Sequence, residues 1–95
     1  MNNTLQVLVS VVYTDGEHEY HSQILLSSAT YSDAPQLARV FLSDIFAEGT
    51  VQDRNQRNLF WSKGDTRNVR ISNIRTLNDA EFDFLKHYLN VSSVQ

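Results

Sequence analysis

Residues 5–26, Leu-Gln-Val-Leu-Val-Ser-Val-Val-Tyr-Thr-Asp-Gly-Glu-His-Glu-Tyr-His-Ser-Gln-Ile-Leu-Leu, decide the fold. Leu5, Val7, Val9, Val11 and Tyr13 alternate with Gln6, Leu8, Ser10, Val12 and Thr14, the period-2 pattern of a strand. Asp15-Gly16 follows at once, and Asp-Gly between alternating runs is the short hairpin signature of a type I′ turn, whose two central residues need positive φ. With those two residues as the turn, Tyr13 faces His18, Val11 faces Tyr20, Val9 faces Ser22, Val7 faces Ile24 and Leu5 faces Leu26. All ten share one face, and eight of them are large and apolar. A one-residue slip would turn one strand's set outward, so pattern and turn agree on the register.

The opposite face then carries Gln6, Leu8, Ser10, Val12 and Thr14 beside Glu17, Glu19, His21, Gln23 and Leu25. It is mostly polar, but Leu8, Val12 and Leu25 make it more apolar than solvation requires. They read either as scattered exposed apolar residues, which are normal, or as a face covered by a second chain or a ligand.

Further along, Leu59-Phe60-Trp61, Ser62-Lys63-Gly64-Asp65 and the alternating Asn68 to Ser72 predict a second hairpin. Its loop length is open between two and three residues. Ile74 breaks the alternation and marks a bulge or a strand end. A helix is predicted from Asp33 to Pro35 onward, with Ala34, Leu37, Ala38, Phe41, Leu42 and Ile45 on its inner arc and Gly49 closing it. A second begins at Asn78, where Glu81 completes a capping-box variant and Leu77 with Phe82 takes the hydrophobic-staple positions. Phe82, Leu85, Tyr88 and Leu89 line its inner arc, with Phe84 at the edge.

These elements predict an α+β fold: a two-layer ββαββα domain, with a four-stranded antiparallel sheet and both helices packed on one face. The 95 residues form a single domain, with one ββα unit over 5–48, a polar loop over 49–57 and a second ββα unit over 58–90. Asp33-Ala34 and Asp79-Ala80 occupy matching places in the two units, as internal duplication would give. Convergent turn and cap chemistry gives the same match.

Hydrophobic residues at 41% and charged residues at 20% are a globular balance rather than a disordered one. No cysteine is available for disulfides or thiolate sites. Met-Asn-Asn-Thr has no basic n-region, and no run approaches the ~20 apolar residues that span a bilayer. A cytoplasmic protein is the expectation.

The formal charge of −3 is segregated along the chain. Residues 1–53 set Asp15, Glu17, Glu19, Asp33, Asp44, Glu48 and Asp53 against Arg39, a balance of −6. Residues 54–75 set Arg54, Arg57, Lys63, Arg67, Arg70 and Arg75 against Asp65, a balance of +5; the remainder comes to −2. Such asymmetry fits either a surface for nucleic acid or an acidic partner, or an internal match between an acidic half and a basic hairpin.

Chemistry finds little purchase. His18 and His21 lie on opposite faces of a strand, so Glu17, Glu19 and His21 offer no tetrahedral set and no metal is expected. His87, four residues after Asp83, reads as a surface histidine near a helix end. No nucleophile elbow, Gly-rich phosphate loop or paired-acid motif is present, so neither an enzyme nor a cofactor is expected.

The expectation is therefore a non-enzymatic binding or regulatory protein, acting through a protein partner or a second copy as a homodimer. Its size also fits inhibitor-type or accessory proteins of phages and mobile elements. The candidate contacts are Leu8, Val12 and Leu25 on the outer face, and Phe60, Trp61, Arg57, Lys63, Arg67 and Arg70 on the basic hairpin. The alternative is a nucleic-acid-binding module built on the aromatic and basic residues of 54–75. Alternation weakens that alternative, because it puts Arg67 and Arg70 on opposite faces.

Overall fold

The computed structural model describes residues 4–64 and 66–95. Met1 to Asn3, read above for a leader, and Asp65, read into the second turn, lie outside the described residues. The first strands, β1 (Leu5–Asp15) and β2 (His18–Ser28), form a long hairpin. Its register differs from the expected one by two residues: Asp15 pairs with His18, Tyr13 with Tyr20, Val11 with Ser22, Val9 with Ile24 and Val7 with Leu26. The cause is the turn. Among the described residues only glycines have positive φ, and Gly16 sits at +62°. A turn centred on Gly16-Glu17 needs that value at its first central residue alone, the type II′ requirement, whereas centring it on Asp15-Gly16 would also force Asp15 into that region. A shift of two preserves side-chain parity, so Val7, Val9, Val11, Ile24 and Leu26 still share one face.

After the hairpin come α1 (Ala34–Leu42), β3 (Thr50–Gln52), β4 (Leu59–Ser62), β5 (Asn68–Thr76), α2 (Asp79–Leu85) and β6 (Val91–Ser93). The strand order is β3-β4-β5-β1-β2-β6. Every pairing is antiparallel except that of β6, which runs parallel to β2 along Leu25 to Ser27. The expected four-stranded antiparallel sheet is thus corrected to a six-stranded mixed sheet that curls into a half-barrel. The two added strands have three residues each, too few to show a period-2 pattern. One of them, β3, lies inside the stretch expected to be a polar loop.

The two-layer arrangement is also corrected. Leu37, Ala38 and Leu42 of α1 pack with Val7, Val9, Val11, Leu26, Phe60, Val69 and Ile71. Phe82 and Leu85 of α2, with Leu77 and Leu89, instead pack on Leu8 and Leu25. Odd and even residues of β1 point to opposite faces, so the helices lie on opposite sides of the sheet. Two of the three apolar residues of the outer face are the reason, for α2 covers Leu8 and Leu25, while Val12 is buried outside that cluster.

Local chemistry fixes the connections. A register shift between Ser10 and Val11 leaves Ser72 as the bulge residue of β5, and its Oγ donates to the Ser10 carbonyl at 3.1 Å. The bulge restores parity: Val69, Ile71 and Ile74 all join the α1-side core. The capping box is present, with the Glu81 N–H donating to Asn78 Oδ1 at 2.8 Å and the Asn78 N–H to Glu81 Oε1 at 3.1 Å. Helix α1 stops at Leu42, where the Ser43 hydroxyl donates to the Val40 carbonyl at 2.6 Å. Gly49, at φ +113°, closes the separate turn after Phe46 rather than the helix.

Leu37 and Leu42 are fully buried, whereas Phe41, the centre of the expected arc, is only partly so. Leu37→Ala should cost ~2–5 kcal/mol, and Phe41→Ala less than the ~3–5 kcal/mol of a fully buried Phe. Urea denaturation of both variants beside the unmodified protein measures the order. A larger loss at Phe41 than at Leu37 would mean that α1 is rotated.

Candidate interaction surface

Phe60 pairs with Val69, and both are buried against α1. Alternation then turns Leu59, Trp61, Asn68 and Arg70 to the other face of the sheet, the α2 face. Helix α2 covers only one end of that face, around Leu8, Leu25 and Leu77. Trp61 lies at the other end, in a cross-strand row running Val51, Trp61, Asn68, Thr14, Glu19. Leu59, Arg70, Val12 and His21 form the next row. The uncovered part of the face therefore joins Trp61, 37% exposed, and Val51, 46% exposed, with the exposed Arg70 and His21.

Asp53 holds the indole in place. Its Oδ1 accepts from Trp61 Nε1 at 3.1 Å, while Oδ2 accepts the backbone N–H groups of Asn55 at 2.9 Å and Gln56 at 3.0 Å. This Asx-type turn follows β3 directly, and the Asp53 N–H donates to the Leu59 carbonyl at 2.8 Å. The Asn55 N–H foremost, then the indole, hold the Asp53 carboxyl below the usual carboxylate range.

The basic hairpin is divided as alternation requires. Arg67 lies on the α1 side, its guanidinium 5.4 Å from the Phe46 ring centroid and paired with Glu48. Glu48 also accepts from the Ser62 hydroxyl at 2.6 Å, and that bond, ahead of Arg67, lowers its pKa. Arg75 pairs with Glu81 beside α2. Lys63 is exposed and lays its stem along Gly49, where a Cβ would come within 2.7 Å of Lys63 Cδ. Arg57 is exposed and its carbonyl accepts from Gln52 Nε2 at 2.8 Å.

Of the residues singled out from the sequence, Trp61 and Arg70 are brought together on one accessible face. Leu8, Val12 and Leu25 are buried within the chain, so they offer no surface to a partner. Phe60 belongs to the core and Arg67 to the opposite side. Val51 and Asp53 were hidden in a polar stretch whose strand is too short to leave a pattern. A second exposed aromatic pair, Phe84 and Tyr88, has ring centroids 5.3 Å apart at the end of α2. Among the described residues no three His, Asp or Glu side chains converge as metal ligands would. Likewise no helix is long and apolar enough to cross a membrane. No protein-family model, curated protein or solved structure matches the chain.

Trp61 is the only tryptophan, so its emission reports this site alone. A carboxyl whose folded pKa is depressed favours folding above its unfolded pKa, and that contribution is lost as pH falls through the folded value. Trp61 emission should therefore hold steady from neutral pH through the ordinary carboxylate range and change only below it. Asp53→Ala should shift the emission already at neutral pH and abolish the acid step. A step retained in that variant would assign it to another group.

Proposed function

We propose that this chain is a non-enzymatic binding protein that engages a protein partner through the uncovered sheet face around Trp61, Val51, Leu59 and Arg70. The observation carrying the reading is an indole that is over one-third exposed yet already fixed by Asp53. A pre-set aromatic beside an arginine suits the centre of a protein interface, where Trp and Arg are favoured anchors and little side-chain freedom remains to be lost on binding. Charge supports the same choice. Asp53 and Glu19 share this face with Arg70, a mixture that a protein surface matches and a polyanion does not. The cytoplasm is the compartment that goes with this proposal, on composition: no cysteine and no long apolar run.

Nucleic acid is the second reading, favoured by the one juxtaposition of an exposed indole with Arg70 on a sheet face, where bases can stack. Its weakness is the number of cations on one track. Arg67 and Arg75 are engaged with Glu48 and Glu81, and Arg67 faces the other way.

Co-purification from the native host, with and without nuclease and with Trp61→Ala as the control, separates the two. The expected result is a protein that survives nuclease and is lost with Trp61→Ala. Binding of a mixed-sequence single-stranded oligonucleotide would promote the second reading, provided that it needs Trp61 and weakens with salt at a log–log slope of roughly −0.7 for each phosphate contacted.

A further inference from the structure

The far half of β2 is an open sheet edge. β6 pairs with β2 only from Leu25 to Ser27, and among the described residues no strand pairs with that edge from His18 to Ile24. Every residue from Asp15 to Gln23 is exposed. The Ser27 carbonyl accepts from the Val94 N–H at 2.9 Å, so it points away from β1. Strand alternation directs the N–H and C=O of Leu25, Gln23, His21 and Glu19 to that same side, and the β1–β2 register has no shift to interrupt it. The last three have no strand beside them. This stretch lacks the proline, lysine or bulge that commonly blunts a free edge.

We propose that two copies of the chain pair antiparallel along this edge, β2 against β2, about a two-fold axis at Tyr20. The occupant follows from charge and register. With Tyr20 opposite the second copy's Tyr20, Glu19 falls opposite the second copy's His21 and His21 opposite its Glu19, so the edge complements itself in an isologous contact. Within one chain Glu19 and His21 already lie on one face, Oε1 and Nε2 4.0 Å apart. Pairing thus sets two acids against two imidazoles. Glu19 and His21 carry the outward backbone groups, so each Glu19–His21 pair exchanges both N–H···O bonds. Tyr20, 55% exposed, forms the non-hydrogen-bonded pair between them, the position where Cα atoms approach to ~4.5 Å.

Neighbouring registers fail on the same grounds. Centring on Glu19 opposes two carboxylates, and centring on His21 opposes two imidazoles while leaving Glu19 across from Gln23. A shift by one residue sets outward N–H groups against inward ones and puts the two cores on opposite faces of the joined sheet. The contact is made at the sheet edge, three strands away from Trp61. Glu19 and His21 also border the face proposed above, and Trp61→Ala is the variant that tells the two contacts apart.

The absence of cysteine makes the test clean. Under mild oxidation Tyr20→Cys should form an interchain disulfide at least roughly tenfold faster than Ser22→Cys, since only the residue on the axis meets the Cα separation that a disulfide needs. Sedimentation of the unmodified chain should show its mass rising from one chain towards two with concentration. Glu19→Lys should lower that association, and the charge-preserving swap Glu19→His with His21→Glu should restore it. Trp61→Ala should leave it unchanged. Equal cross-linking at positions 20 and 22, or a single-chain mass at every concentration, would overturn the proposal.

Discussion

β1 must be covered on both faces, and the rest of the structure depends on that constraint. It is paired along both edges, by β2 and by β5, and its residues from Gln6 to Val9 and again at Val11 and Val12 are buried. A strand that is apolar on both sides is a central strand under two layers. Val7, Val9 and Val11 require α1, while Leu8 requires something on the far side. The chain meets the second demand by carrying α2 across the opposite face and returning as β6 beside β2. The mixed sheet and the separation of the helices both follow.

The basic segment has a related explanation. Arg67 and Arg75 meet Glu48 and Glu81, one on each side of the sheet, so part of the charge segregation along the sequence is an internal match. What remains on the uncovered face is Arg70 together with a tryptophan whose orientation is set by Asp53. The accessible surface is thus defined by how far α2 reaches, since it covers the Leu8 end of the face and leaves the Thr14 end bare.

Much of this was legible where local chemistry decides. The facing of the first hairpin, the bulge implied by Ile74, the capping box at Asn78 and Glu81 and the opposed facing of Arg67 and Arg70 all rest on parity or on contacts within a few residues. The sequence misled where long-range packing decides. Leu8, Val12 and Leu25 left open whether the outer face was exposed or covered, and nothing local showed that Phe82 and Leu85 of the same chain cover Leu8 and Leu25. β3 and β6 take their strand character from neighbours, Trp61 beside Val51 and Leu25 beside Val91, rather than from their own residues. The hairpin register turned on a single backbone angle at Gly16, which the dipeptide Asp-Gly alone does not assign to one turn type. At the candidate surface Trp61 and Arg70 were visible from composition, and Val51 and Asp53 were not, because their roles exist only once β3 is paired.

The pairing of β1 with β5, Val9 beside Ile74 for instance, joins segments far apart in the chain, and this dictates an order of events during synthesis. The first hairpin leaves the ribosome long before either of its partners on the far edge and far face. Until residues 77–89 emerge, Leu8 and Leu25 have no cover and the edge that β5 will occupy stays unsatisfied. Contacts of such sequence separation make folding slow, because the loop must close before they reward it. The nascent hairpin is therefore the species in the life of this protein most exposed to misassociation, and a chain cut short before α2 would retain that exposure permanently.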